Sequence, residues 1–375
     1  MKVLHVMSCR GWSSDAYWAA RMTVELERAG HQVTLACRRG TEDRVISRAR
    51  AAGVTRLETL TLAGGVDPAG DAADVRRLRQ WLGRIDVVHT HRGKEHWLAA
   101  LANRLTGDPR PLVRTRHIVQ PVRAHALNRW LYGRATALVV TVTEAIRRQF
   151  LAGELAQPER VVALPGGVDA TAWRPDLDGR ALRASLGLPD DVPLIGLLGG
   201  FRVMKGHAVA LAAAAELARR GRHFHLALVG RGALDLIIRT QRTRLGLADR
   251  VSIVDGVVDA ASTVAGFDMA LYVPLESDGM SRVLFECLAA GRPLVASRVG
   301  VVPEVLTDGE HALLVPAGEA TALADAIERL LTDRALGARL AAAGRDLVER
   351  RCSGARVAEA LAARYGALAS AAAPA

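Results

Sequence analysis

Short apolar runs alternate with longer stretches in which apolar residues recur at helical spacing, and this alternation continues along the chain. Residues 3–7 predict a strand, residues 15–29 a helix closed by Gly30, and residues 32–37 the next strand. The pattern returns in the run 85–89, the helical stretch near 97–105, and the runs 112–115, 137–141 and 160–164. Strands joined by helices are the signature of βαβ units, so these runs are expected to form a parallel sheet. Turn residues then interrupt the periodicity at Pro165-Gly166-Gly167-Val168-Asp169 and Trp173-Arg174-Pro175-Asp176, which marks a hinge. A second series follows at 194–198, 224–229, 251–254, 269–273, 293–297 and 312–315, again with helices between. The predicted fold class is α/β, with two doubly wound Rossmann-like domains, 1–170 and 171–354, facing each other across a cleft. A terminal helix at 355–368 is expected to join the first domain, and residues 369–375 are expected to be disordered.

The length of 375 residues exceeds what one core usually organises, which agrees with two domains. The apolar runs are too short to span a membrane, and the N-terminal residues read as a first strand rather than a signal peptide. Cys9, Cys37, Cys287 and Cys352 lie far apart without metal-ligand spacing, which points to a reducing, cytoplasmic compartment. Charge adds an asymmetry. Residues 1–175 hold 27 Lys and Arg against 16 Asp and Glu, whereas residues 176–375 hold 23 of each, so the whole net charge of +11 sits in the first half. Such a field favours an anionic partner, whether a phospholipid surface, a phosphorylated glycan or nucleic acid; a solubility effect in an arginine-rich proteome is the alternative. Aromatic residues make up only 4% of the chain, which leaves few stacking platforms and argues against nucleic acid.

The residues with the most chemistry run from Leu275 to Glu286. A strand ends near Pro274, a polar loop with Asp278, Gly279 and Met280 follows, and a helix opens with Ser281 as N-cap, passes Arg282 and Val283, and stops at Gly291. Free amides at such a helix start face the edge where doubly wound folds bind anions. Glu286 is the one charge in the apolar helix 283–290, and a buried carboxylate needs donors: a ribose diol supplies two, a nearby arginine in an ion pair is the alternative. Asp278 is placed to accept from sugar hydroxyls, or is a solvated turn residue. In Gly199-Gly200-Phe201-Arg202-Val203-Met204-Lys205, glycines allow close backbone approach and Arg202 and Lys205 bring two positive charges to one loop, suited to a diphosphate. Lys205 is one of three lysines among 50 basic residues and the only one in the second half. Gly230-Arg231-Gly232 follows another strand and reads as a base-contacting loop or a simple tight turn.

Together these residues resemble the family 4 retaining glycosyltransferases, which have the two-domain GT-B fold. The resemblance covers nearly the whole chain. It rests on Asp278 and Glu286 as the acidic-x7-acidic pair, on Arg202 and Lys205, on Ala289-Ala290-Gly291-Arg292-Pro293, on Val299-Gly300-Val301-Val302-Pro303-Glu304, and on Asp308-Gly309-Glu310-His311-Ala312. It implies that the first acid contacts the donor sugar, that Glu286 binds the ribose, and that Arg202 and Lys205 hold the diphosphate. The first acid is usually Glu in the family; here it is Asp278, with Glu276 as a rival. His117 occupies the position of a family histidine bordering the donor, with a capping or core role as its alternative. The loop after the first strand keeps a single glycine, Gly11, where the family usually has a pair.

The resemblance further implies a nucleotide-diphosphate-sugar as co-substrate, a UDP-sugar ahead of a GDP- or ADP-sugar, with no cofactor or metal required. Attack from the leaving-group face would retain anomeric configuration, and domain closure at the hinge would exclude water. Related enzymes build envelope glycans, so the expected acceptor is a bacterial glycan or glycolipid such as a lipopolysaccharide or capsule intermediate. Residues 122–132, with Arg123, Arg129, Trp130 and Tyr132, read as a basic surface for anionic lipid at the inner face of the membrane, or as an ordinary core-facing helix. His89, His91 and His96 lack a third ligand at fixed spacing, so a metal is not expected there. A nucleotide-sugar epimerase of similar fold and a basic nucleic-acid-binding protein are the competing readings.

Overall fold

The computed structural model describes residues 1–255, 259–277 and 279–372. It divides into two compact units: Met1–Gly167 with Cys352–Ala375, and Val168–Arg351.

The first unit carries a seven-stranded sheet of β1 (Lys2–Met7), β2 (Gln32–Arg38), β3 (Leu57–Leu60), β4 (Val87–Thr90), β5 (Leu112–Arg116), β6 (Leu138–Thr141) and β7 (Val161–Ala163), in the order β3-β2-β1-β4-β5-β6-β7. Every pairing is parallel. Helices cover both faces, so the central strands are apolar throughout instead of alternating: all four residues of β4 and of β6 are buried. The sequence reading missed β3, whose Leu-Glu-Thr-Leu is short, half exposed and at the sheet edge. The helix predicted near 97–105 starts earlier, as Gly93–Arg104, because the charged first turn of Lys94 and Glu95 hides the apolar spacing. The terminal helix Gly354–Ala372 runs past the expected end, so residues 369–372 are ordered helix. Its Tyr365 is fully buried and hydrogen-bonds His89 of β4.

The second unit carries β8 (Leu194–Leu198), β9 (His225–Val229), β10 (Val251–Val254), β11 (Met269–Tyr272), β12 (Leu294–Ser297) and β13 (Leu313–Val315) in the order β10-β9-β8-β11-β12-β13, all parallel. Its core packs Leu197, Phe201, Leu228, Leu271 and Val295 against Leu211, Leu323 and Leu340 from the helices. In both sheets the strand order reverses once, between β1 and β4 and between β8 and β11. The chain leaves neighbouring strands in opposite directions there, which opens a crevice at the carboxyl edge.

Candidate active-site residues

In the second unit, the loops after β8 and β11 flank the reversal point and are tied together: Leu275 N–H donates to the Met204 carbonyl at 2.9 Å. After β8 the chain passes Gly199, Gly200 and Phe201, makes a single turn over Val203–Lys205, and enters the helix His207–Arg219 through Gly206 at φ 73°. A side chain at Gly206 is impossible, since a Cβ would lie 1.9 Å from the Val273 carbonyl oxygen. Gly200 is different. Its backbone is not left-handed, and a Cβ there would come no nearer than 3.7 Å to another atom. The fold does not ask for glycine at 200.

Arg202 is exposed and Lys205 half-buried on this loop, and Arg231 lies exposed after β9. Neither Arg202 nor Arg231 makes an ion pair among the described residues. Phe201 N–H donates to the Arg231 carbonyl at 3.0 Å, so the β8 and β9 loops form one rim. Gly230 has a structural reason: its Cβ would sit 2.0 Å from the Gly199 oxygen. Beneath the rim His207 is buried, and neither ring nitrogen has a hydrogen-bond partner among the described residues. Burial, with the nearby Lys205 charge, lowers its pKa to about 4, so it is neutral at pH 7. The sequence reading did not single out His207.

After β11 the chain runs through Glu276, which is exposed, to Gly279 at φ 78°, and into the helix Arg282–Ala289. Asp278 lies outside the described residues. Met280 and Ser281 are buried. Ser281 holds the N-cap position but not as a conventional cap: its backbone is left-handed at φ 53° and its side chain makes no capping bond. Glu286 is 2% exposed. Its Oε1 pairs with Arg282 Nε at 3.1 Å, one turn back, while Oε2 is buried without a partner among the described residues. Burial raises the carboxyl's pKa and Arg282 opposes the rise. The ion-pair alternative is therefore half realised, and one oxygen is left needing a donor. Val283 is half-buried beside it.

In the first unit, the loops after β1, β4 and β5 meet at the other reversal point. Gly11 has open space around its Cα. Two residues on, the Ser13 hydroxyl donates to Asp15, which also receives Arg92 Nε at 2.6 Å. Burial works against the Asp15 carboxylate, but the Arg92 hydrogen bond and neighbouring charges outweigh it and hold the pKa well below the usual range. Asp15 and Arg92 are 77 residues apart and meet only because β1 pairs with β4.

His117 is buried, not a surface cap. Its Nε2 lies 3.3 Å from His91 Nδ1, and His91 Nε2 lies 3.1 Å from His5 Nδ1, a chain of three imidazoles across β5, β4 and β1. The outer nitrogens, His117 Nδ1 and His5 Nε2, have no partner among the described residues. Burial lowers the pKa of His117 to about 3, with Asp15 opposing. Nitrogens of His5, His89 and His91 lie within 4.8 Å of one another, close enough for one metal ion. Those of His89, however, are engaged by Tyr365 and by Thr115 at 2.6 Å. His96 bonds Thr136 at 2.8 Å and stands apart from this group.

Tyr132 does not belong to the surface expected over 122–132. The helix there is short, Ala126–Trp130, and Tyr132 is 5% exposed, packed on Phe150 in the core. Arg123 is exposed, and Arg129 pairs with Glu154 at 3.3 Å.

Comparison with known proteins agrees with this arrangement. A family profile described as Glycosyltransferase Family 4 matches residues 16–172, and one described as Glycosyl transferases group 1 matches residues 192–333. The chain is 31% identical over 287 residues to a D-inositol 3-phosphate glycosyltransferase of Nocardia farcinica, a match that takes in 68% of this chain and 61% of the relative. The chain thus spans about three fifths of the length of the curated relatives it matches. Among solved structures, a glycosyltransferase from Rickettsia africae superposes with a TM-score of 0.84 at 18% identity, covering 98% of both chains. Anabaena HepE in complex with UDP gives 0.84 at 19% identity, covering 98% of this chain and all of the other. At these identities the structural likeness establishes the fold, GT-B with two Rossmann-like units.

Proposed function

Because the chain belongs to glycosyltransferase family 4, we propose that it transfers a sugar with retention from a nucleoside-diphosphate donor to an anionic envelope acceptor of the glycan or glycolipid class. The observation that carries this reading is Glu286: a buried carboxylate with one unbonded oxygen, on a helix whose entry loop is hydrogen-bonded to the loop of Arg202 and Lys205. An orphaned buried acceptor costs about 1–3 kcal/mol until a donor reaches it, and a ribose hydroxyl is such a donor.

In this reading Gly200 lets the diphosphate approach the backbone, and Arg202 and Lys205 offset its charge as the glycosidic bond breaks. The acceptor hydroxyl attacks the anomeric carbon from the leaving-group side, and its proton passes to the departing phosphate oxygen. No protein nucleophile is consumed. Asp278, or its rival Glu276, holds the sugar hydroxyls. His117, neutral and fixed through His91, is a hydrogen-bonding group for the donor rather than a charge. Arg231 and Gly230 border the base. UDP is the working choice of nucleotide, since Anabaena HepE binds UDP and UDP-glucose. The acceptor's negative charge suits the first unit, whose 28 Lys and Arg against 16 Asp and Glu give +12, while the second unit holds 22 against 23. A phosphorylated polyol, the substrate class in the name of the Nocardia relative, belongs in the same acceptor screen.

The test is product analysis with UDP-, GDP- and ADP-sugars, with and without phosphorylated or lipid-linked acceptors. Transfer with release of the nucleoside diphosphate and an unchanged anomeric configuration is expected. Isomerised donor formed without any acceptor would make the chain an epimerase instead.

A further inference from the structure

The helix Gly93–Arg104 carries apolar side chains on its outward side as well as on its buried one. Its inward face buries Leu98, Ala99, Ala100 and Ala102 together with Glu95 and His96, while its outward stripe carries Trp97 at 36%, Leu101 at 47% and, just past its end, Leu105 at 50% exposure. A solvent-facing stripe is ordinarily polar. The inward polar groups are held in part, Glu95 Oε1 by the Ser8 amide at 3.1 Å and His96 Nε2 by Thr136 at 2.8 Å, while Glu95 Oε2 and His96 Nδ1 are buried without a partner among the described residues. The stripe also continues onto a second element: Trp97 stacks on Trp130, with ring centres 6.0 Å apart, and Leu127 on the same short helix is 64% exposed. Trp97, Leu101, Leu105 and Leu127 are exposed and Trp130 is half-buried, and the Trp97–Trp130 stack joins the two elements into an apolar patch within the first unit.

What surrounds the patch identifies what covers it. Of the seven arginines in residues 104–134, Arg114 is buried and Arg110 and Arg129 pair with Asp108 and Glu154, while Arg104, Arg123 and Arg134 are exposed. A second copy across a two-fold axis would set arginine against arginine, which opposes self-association. An anionic strand would match the charge but give the leucines nothing to do. A bilayer surface uses both features, taking the leucines into the headgroup–acyl boundary, holding tryptophan at the interface and pairing arginine with lipid phosphates. We propose that this patch docks the protein on an anionic membrane surface, without spanning it. Among the described residues no helix is long and apolar enough to cross a bilayer.

The inference deepens the glycolipid reading by naming the surface on which such an acceptor is met, but its test involves neither donor nor acceptor, so either can fail alone. The full chain is sedimented with phosphatidylcholine vesicles with or without about 30% phosphatidylglycerol, at low and high salt. Binding is expected to anionic vesicles, weakening as salt rises, and the variant L101S/L127S is expected to lose about tenfold in partitioning. Both positions are exposed, so its thermal midpoint should stay at the wild-type value, and R123Q/R134Q should lower the preference for anionic over neutral vesicles. Three results would overturn the proposal: no binding to anionic vesicles at low salt, equal binding by L101S/L127S, or a patch whose loss abolishes a dimer or an oligonucleotide complex and leaves vesicle binding untouched.

Discussion

Glu286 concentrates the energetics of the second unit in one side chain. Arg282 satisfies one oxygen, the other is buried without a bond, and the pKa is raised in consequence. E286Q keeps the shape and removes the charge. Nucleotide affinity should then fall about tenfold or more, since hydrogen bonds to a charged group are worth roughly 1.5–3 kcal/mol. Thermal stability should hold or rise, because an incompletely paired buried charge is costly to the fold. Calorimetric titration with UDP and a melting curve on the same sample check both directions. The two glycines of the β8 loop make a matched contrast. G206A forces a Cβ to within 1.9 Å of the Val273 oxygen at a left-handed backbone, so it should lose about 2 kcal/mol or more of stability. G200A has room, with 3.7 Å to its nearest neighbour, so it should melt like the wild type while binding nucleotide poorly. A G200A variant that binds UDP normally would remove the diphosphate from this loop.

At the scale of elements, β8 and β11 were legible as apolar runs that end near Gly199 and Pro274, and β1 and β4 as apolar-rich runs interrupted by His5 and His89. What the sequence did not reveal was local exposure at an edge, as in β3, and charge at a helix start, as in the Gly93–Arg104 helix. Tyr132 was misjudged because a helical pattern shows periodicity but not which side faces inward; its ring packs on Phe150. The Arg202–Lys205 turn was readable from composition, since a lysine stands out in an arginine-rich chain. Replacing Lys205 by alanine should lower turnover by about a hundredfold to a thousandfold with little change in melting, the loss expected when a preorganised charge at a leaving group is removed. Kinetics on purified variants would show it. The Asp15–Arg92 pair and the His5–His91–His117 chain were not legible at all, because each joins residues brought together only by strand order.

The whole molecule carries an unusual number of neutral buried histidines. Burial puts His5 and His117 at about 3 and His207 at about 4, and holds His89, His91 and His96 well below 6.5. In the unfolded chain all six titrate near 6.5, so between about pH 4 and 6.5 the unfolded state binds more protons and stability rises with pH. The raised pKa of Glu286 acts in the opposite direction, one group against six. The melting temperature should therefore drop steeply from pH 7 to pH 5, and a flat profile would mean that these rings are solvated or paired with acids. Charge is the other property at this scale, +12 on one unit and −1 on the other, which the sequence showed as an asymmetry between halves but not as the patch that focuses it.

The most direct measurement is a crystal structure of the chain soaked with UDP. Density should place the ribose hydroxyls on Glu286 Oε2 and the diphosphate over Gly200, between Arg202 and Lys205. Nucleotide bound elsewhere, with Glu286 still unbonded in its helix, would contradict the assignment of this crevice as the donor site.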